Sequence, residues 1–181
     1  MTGSPLDRLW AGWRMPYIDR DDDARASEVP AGMTLFEGIL NSGLSDPESF
    51  ILWRGESCFA LLNAYPYSSG HVMVLPQRGV ADLAQLTEAE HAELWSGVRK
   101  AVAAVQQAYR PDGINVGINI GEGSGAGVPG HLHVHVLPRW SGDTNFMTTV
   151  AEARVLPESL SDVWSRLAAV WPDEAPAADQ P

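Results

Sequence analysis

The segment Gly130-His-Leu-His-Val-His-Val-Leu-Pro138 constrains the fold more than any other part of the chain. Polar and apolar residues alternate through it without a break, which is the period of a β-strand and not of a helix. Side chains two apart on a strand share a face and stand about 6.7 Å apart. His131, His133 and His135 therefore point one way, and Leu132, Val134 and Val136 enter the opposite layer. Three adjacent imidazoles repel one another if all are charged, so the row is expected to hold mixed protonation states and fixed tautomers. A neutral imidazole nitrogen held in one tautomer can attack phosphorus. Two other readings of the residues stand beside this one: a strand with polar residues on its wet face, and a zinc site built on His-x-His with a third ligand. The zinc reading lacks a carboxylate neighbour within the motif.

Gly121-Glu-Gly-Ser-Gly-Ala-Gly127 lies just upstream, with four glycines in seven residues. Backbone N–H groups in such a loop can form a concave nest for phosphate oxygens. Close to a histidine row, the loop points to phosphate chemistry. The net charge of −11 argues against coating long nucleic acid, which needs clustered Lys and Arg. It leaves room for a small anionic ligand at a locally favourable site. Cys58 is the one cysteine, so no intrachain disulfide and no thiolate cage is expected. No apolar run is long enough for a transmembrane helix, and the N-terminus lacks the pattern of a signal peptide. The expected compartment is cytoplasmic.

The remaining pattern predicts one α+β domain of residues 33–171, after an irregular arm of residues 1–32 and before a disordered acidic, Pro-rich tail of residues 172–181. A short helix starts after Thr34, with Glu37 completing a capping box, and ends at Gly43, Asp46 and Pro47. Ser49–Asn63 reads as a hairpin turning at Arg54–Ser57, and His71–Leu75 as a strand closed by Pro76. Thr87 and Glu90 cap the longest helix, which stops before Pro111. Ile114–Ile120 and His131–Leu137 complete five antiparallel strands, and a last helix begins near Glu158. His91 is read as a surface residue.

The segment His131-Leu-His-Val-His-Val-Leu137 resembles the signature of the histidine triad family. Leu61-Leu-Asn-Ala-Tyr-Pro-Tyr-Ser-Ser-Gly-His71-Val-Met-Val-Leu-Pro76 is similar to the family's upstream strand–loop–strand. Pro138-Arg-Trp-x-Gly-Asp-x-Asn-Phe146, with Leu6–Trp10, Trp13–Met15 and Tyr17, resembles its diadenosine tetraphosphate phosphorylase or hydrolase branch. The resemblance covers about residues 5–170. It implies a five-stranded antiparallel sheet with a long helix and a short N-terminal helix, in a homodimer. It implies a small nucleotide substrate and no cofactor, while the charge and the lack of long apolar runs predict no long nucleic acid and no membrane as partner. His133 would be the nucleophile on the α-phosphorus and would form a nucleotidyl-histidine. His135 would bind phosphate and assist the leaving group, and His131 and His71 would orient the others. Asn63 would bind ribose, and Leu35, Phe36, Ile39 and Leu61 would line the base pocket, although spacing alone reads the helical three as core. Asn119, Gly125, Ala126 and Gly127 would hold phosphates. A nucleotide-binding or signalling module without turnover is the alternative role. Many relatives carry Cys-x-x-Cys near the first helix as part of a structural zinc site. Thr34 and Glu37 stand there in this chain, so that zinc is expected to be absent. Val128-Pro129-Gly130 offers no side-chain donor where several relatives have a Gln, Ser or Thr to contact the leaving group.

Overall fold

The computed structural model describes Pro30 and residues 32–143 and 158–175. Five antiparallel strands form one sheet in the order β1-β2-β3-β5-β4. They are β1 Ile51–Arg54, β2 Cys58–Leu62, β3 Val72–Pro76, β4 Gly113–Ile118 and β5 Val134–Arg139. Among the described residues four α-helices accompany them: α1 Leu35–Leu40, α2 Asp46–Ser49, α3 Glu88–Tyr109 and α4 Leu160–Ala168. Among the described residues no helix is long and apolar enough to cross a membrane. Most of the arm at residues 1–32, residues 144–157 and the end of the tail lie outside the described residues. The Leu6–Tyr17 and Asn145–Phe146 parts of the resemblance are among these residues.

The two faces of the sheet bury different things. Ala60, Leu62, Val72, Val74, Val134 and Val136 pack with Leu94, Val98, Ala101, Ala104 and Val105 of α3 and Val163 and Leu167 of α4. A wholly buried leucine such as Leu94 stabilises the fold by about 1.5–3 kcal/mol through the area it removes from water. The helix can lie this close because Gly97 has no side chain. A Cβ there would meet Trp53 and Val74 atoms at 2.8 Å. On the opposite face Phe59, Leu61, Met73 and Leu75 form a second cluster with Ile51 and with Phe36 of α1.

Both expected capping boxes form, at Thr34/Glu37 and Thr87/Glu90. The first helix stops at Leu40, and Asp46 and Pro47, expected only to end it, open the separate turn α2. Ser45 and Glu48 form its capping box with Pro47 at the start, a stop signal that also serves as a start signal. The strand expected at His131–Leu137 begins at Val134 and runs through Pro138 to Arg139. Pro138 is tolerated because β3 pairs with β5 only as far as Val72↔Val136. Its carbonyl accepts instead from Ser68 Oγ at 3.1 Å. Pro76 likewise belongs to β3, opposite Cys58 and past the last β3–β5 pair at Val74↔Val134.

Candidate active site

Met73 pairs with His135 across β3 and β5, which puts His135 on the face of the smaller cluster and of α1. His131 and His133 precede the regular ladder. Leu132 N–H donates to Val80 O at 2.6 Å and His131 N–H to Val128 O at 3.1 Å. The three imidazoles still converge on one face with the fourth, His71. All four rings are buried, between 0% and 7% exposed. His133 and His135 stand edge to face with centroids 4.8 Å apart, and Phe36 lies 5.3 Å from His131 and 5.4 Å from His133.

The partners of these rings fix their tautomers. His133 Nδ1 lies 2.8 Å from the His131 carbonyl oxygen, which can only accept. Nδ1 therefore carries the hydrogen, and in the neutral ring Nε2 carries the lone pair. Burial pushes His133 below the ordinary imidazole value of 6.5, so the neutral form prevails at pH 7. Burial also lowers His131, against the opposing influence of the Pro76 carbonyl and the Glu37 carboxylate.

A second chain fixes His135. Asn63 Oδ1 accepts from Tyr65 N–H at 2.9 Å, which orients the amide so that Nδ2 faces His71 Nδ1 at 3.4 Å. Tyr67 N–H donates to the same Nδ1 at 3.1 Å. His71 therefore holds its hydrogen on Nε2 and donates it to His135 Nδ1 at 2.9 Å. His135 in turn holds its hydrogen on Nε2. The row thus offers a nucleophilic nitrogen on His133 beside an N–H donor on His135.

His131 is clamped at both nitrogens, by Pro76 O at 2.8 Å and Thr34 Oγ1 at 2.6 Å. That leaves no ring lone pair of His131 for a cation. Among the described residues no group of three or more His, Cys, Asp or Glu is arranged to hold a metal ion.

Not every expected residue joins the row. Phe36 and Leu61 are closed into the apolar cluster, 5% and 3% exposed. Leu35 and Ile39 are half-buried. Asn63 serves the turn through Tyr65 as well as reaching His71. Asn119 is half-exposed, and Gly125, Ala126 and Gly127 run from the exposed end of the loop towards Val128, which packs on the apolar cluster. A single 3-10 turn at Glu122–Ser124 separates Gly121 (φ 77°) from Gly125 (φ 81°), both in the region that favours glycine. Ser124 Oγ donates to Gly121 O at 2.6 Å and so serves its own loop. His91 lies on the outer side of α3, where its Nε2 accepts from Trp95 Nε1 at 3.2 Å. Tyr67, the Pro76 carbonyl and the contact of Thr34 with the row were missed by the sequence reading. The capping box gave a signal for Thr34, but only for its local role.

One antiparallel sheet with a long helix on one face, and a short helix over a buried histidine row on the other, defines an α+β protein with four converging imidazoles. A HIT domain model matches residues 45–142, and the chain belongs to that family. An alignment of 171 residues with the AP-4-A phosphorylase of Mycobacterium tuberculosis is 40% identical and covers 92% of this chain and 85% of that protein. The bis(5'-nucleosyl)-tetraphosphatase [asymmetrical] of Schizosaccharomyces pombe is 37% identical over 95 residues, 52% of each chain. The solved structure of a hypothetical histidine triad nucleotide-binding protein from Sulfolobus tokodaii superposes with a TM-score of 0.60 at 28% identity. It covers 75% of this chain and 89% of its own.

Proposed function

We propose that the chain is a nucleotidyl hydrolase or transferase. Its substrates are nucleotide polyphosphates of the diadenosine tetraphosphate kind or nucleoside phosphoramidates, and it works through a covalent intermediate on His133. The observation that carries this reading is the 2.8 Å bond from His133 Nδ1 to the His131 carbonyl, which leaves Nε2 as a buried, neutral nucleophile. The relative named AP-4-A phosphorylase, similar over most of the chain, supports the substrate class.

In the first step the Nε2 lone pair of His133 forms a bond to the α-phosphorus, and the bond from phosphorus to the leaving oxygen or nitrogen breaks. The leaving atom accepts a hydrogen bond from His135 Nε2–H, which keeps its hydrogen, and takes its proton from water. The His133 ring gains positive charge, and its Nδ1–H bond to the His131 carbonyl strengthens as that charge develops. In the second step water or phosphate attacks phosphorus and releases its proton to solvent, while His135 Nε2–H bonds the phosphoryl oxygen. The P–N bond breaks and returns the lone pair to His133. Asn63 would contact ribose, Leu35 and Ile39 the base over the floor of Phe36 and Leu61, and Asn119 with the backbone of residues 125–127 the phosphates. With a net charge of −11, dipoles and imidazoles must do most of this anion binding.

The same reading includes a homodimer whose sheets join. It is supported by the outer edge of β4, which pairs with no strand among the described residues. Val116 there is 43% exposed, beside a groove lined by Val102, Gln106 and Ile114.

Product analysis across a nucleotide panel, with and without phosphate, tests the function. Turnover that falls by about 10³-fold or more in His133→Ala is expected. Tight nucleotide binding with no product in either condition would instead mean a binding module.

A further inference from the structure

The backbone that orients the nucleophile lies outside the sheet ladder. Residues 131–133 precede β5, so the carbonyl of His131 is not held by regular strand pairing on both sides. Its peptide is tied on the far side by Leu132 N–H to Val80 O at 2.6 Å, and the ring of His131 is held in a clasp between three separate pieces of chain. Thr34, the N-cap of α1, reaches His131 Nδ1 at 2.6 Å. His131 Nε2 reaches the carbonyl of Pro76 at the end of β3 at 2.8 Å. Glu37 closes the third side, accepting from Thr34 N–H at 2.7 Å and from Gly79 N–H at 2.9 Å. The fit is close at Gly79, where a Cβ would lie 2.6 Å from the Thr34 methyl group.

Every hydrogen in the clasp has a determined place. The Pro76 carbonyl only accepts, so His131 Nε2 carries the ring hydrogen and Nδ1 the lone pair. The Thr34 hydroxyl must then donate to Nδ1, while accepting from Glu37 N–H at 3.3 Å. The His131 carbonyl accepts from His133 Nδ1 at 2.8 Å. Capping alone would leave the direction of the Thr34 hydroxyl hydrogen open; the contact with His131 sets it.

We propose that Thr34 is a positioning residue: through the ring of His131 it fixes the backbone carbonyl that orients His133, so that the start of α1 sets the aim of the nucleophile. The proposal rests on His133 being the nucleophile and adds to that reading a residue some 100 positions away in the chain. It also gives α1 two jobs, since Phe36, two residues on, packs against both His131 and His133.

The test compares Thr34→Val, which keeps the shape and loses the hydroxyl, with Thr34→Ser, which keeps the hydroxyl. Thr34→Val is expected to lower kcat by about 10- to 100-fold, the scale of a small misplacement of a reacting group. KM should stay within about threefold. Thr34→Ser should recover most of kcat. A loss of helix cap with no positioning role would lower the melting temperature and leave kcat where it was, and that result overturns the proposal. Imidazole ¹⁵N spectra give a readout that needs no turnover. In the parent protein His131 should be protonated on Nε2 and His133 on Nδ1. In Thr34→Val the His131 Nδ1 signal should move as its lone pair loses the hydroxyl donor, and the His133 Nδ1–H signal should move with its displaced carbonyl acceptor. Unchanged spectra overturn the proposal even if the enzyme reading holds. Conversely, a parent protein that consumes no nucleotide but shows these shifts removes the enzyme reading and keeps the clasp. Where Thr34→Val is too unstable to study, Thr34→Ala carries the same spectral expectation.

Discussion

Replacing His71 by phenylalanine separates the tautomer chain from simple packing. The new ring has nearly the shape of the old one, so the apolar contacts survive. What goes is the acceptor for Tyr67 N–H and the donor to His135 Nδ1, now bonded at 3.1 Å and 2.9 Å. Removing one partner from a buried polar group costs about 1–3 kcal/mol. His135 is 7% exposed and carries most of that cost. Tyr67 is half-buried, and water can replace part of its bond. The sum is about 3 kcal/mol, which in a chain of this size corresponds to a fall of about 6–12 °C in Tm. The chemistry should change in a specific way. Without the His71 donor, His135 can place its hydrogen on Nδ1, and the Nε2–H donor is lost for part of the time. Rates should fall most for basic leaving groups, which depend most on that hydrogen bond. The assay is a thermal melt together with turnover of a series of nucleoside phosphoramidates of graded leaving-group basicity. A Tm within about 1 °C of the parent, with the same dependence on leaving group, would refute the reasoning.

The acid behaviour follows from the same burial. His133 and His131 both lie below the ordinary value of 6.5 when folded, so the unfolded chain binds more protons as pH falls through that value. Their contribution to stability is full above about pH 6.5 and is lost as pH drops towards the folded values. Denaturant midpoints measured from pH 8 to pH 5 should decline on the acid side, and a midpoint that rises there contradicts the burial argument. Gly97→Ala places a Cβ 2.8 Å from Trp53 and Val74. Overpacking of about 1–3 kcal/mol should exceed the helix-propensity gain of at most about 1 kcal/mol, so Tm should fall; an unchanged or raised Tm would show that α3 can move away from the sheet. Sedimentation tests the dimer: Val116→Glu on the outer edge of β4 should shift the protein towards monomer, and a parent protein already monomeric at micromolar concentration would contradict the joined sheet.

Much of the fold was legible because it rests on local signals that act alone. The capping boxes at Thr34/Glu37 and Thr87/Glu90 and the apolar spacing of α3 need no distant partner to be read. The start of β5 was not legible. His131, Leu132 and His133 have the alternation of a strand, but pairing depends on where β3 and β4 end, and that is set by other parts of the chain. The end of β5, expected at Leu137 and found at Arg139, was misplaced for a related reason. Proline forbids a donor, but only the neighbouring strand decides whether a donor is needed there. In the site, the alternation correctly put His131, His133 and His135 on one face, while His71 joined them only by resemblance. The Thr34 contact with His131 spans 97 positions, and no local pattern encodes it. Phe36 and Leu61, expected to line a base pocket, are buried in the smaller apolar cluster, a placement that helical spacing alone also suggested for Phe36.

The central claim is that His133 Nε2 becomes covalently bonded to the substrate's phosphorus. The most direct measurement is to mix enzyme with diadenosine tetraphosphate or an adenosine phosphoramidate, quench at high pH within one turnover, and locate the adduct by mass spectrometry of the peptide spanning residues 130–139. A phosphorus–nitrogen bond to imidazole survives base and is lost in acid. The account predicts a nucleotidyl group on His133 that forms and decays at the rate of turnover and is absent from His133→Ala. Turnover with no adduct at any time, or an adduct on His131 or His135 that persists in His133→Ala, would contradict it.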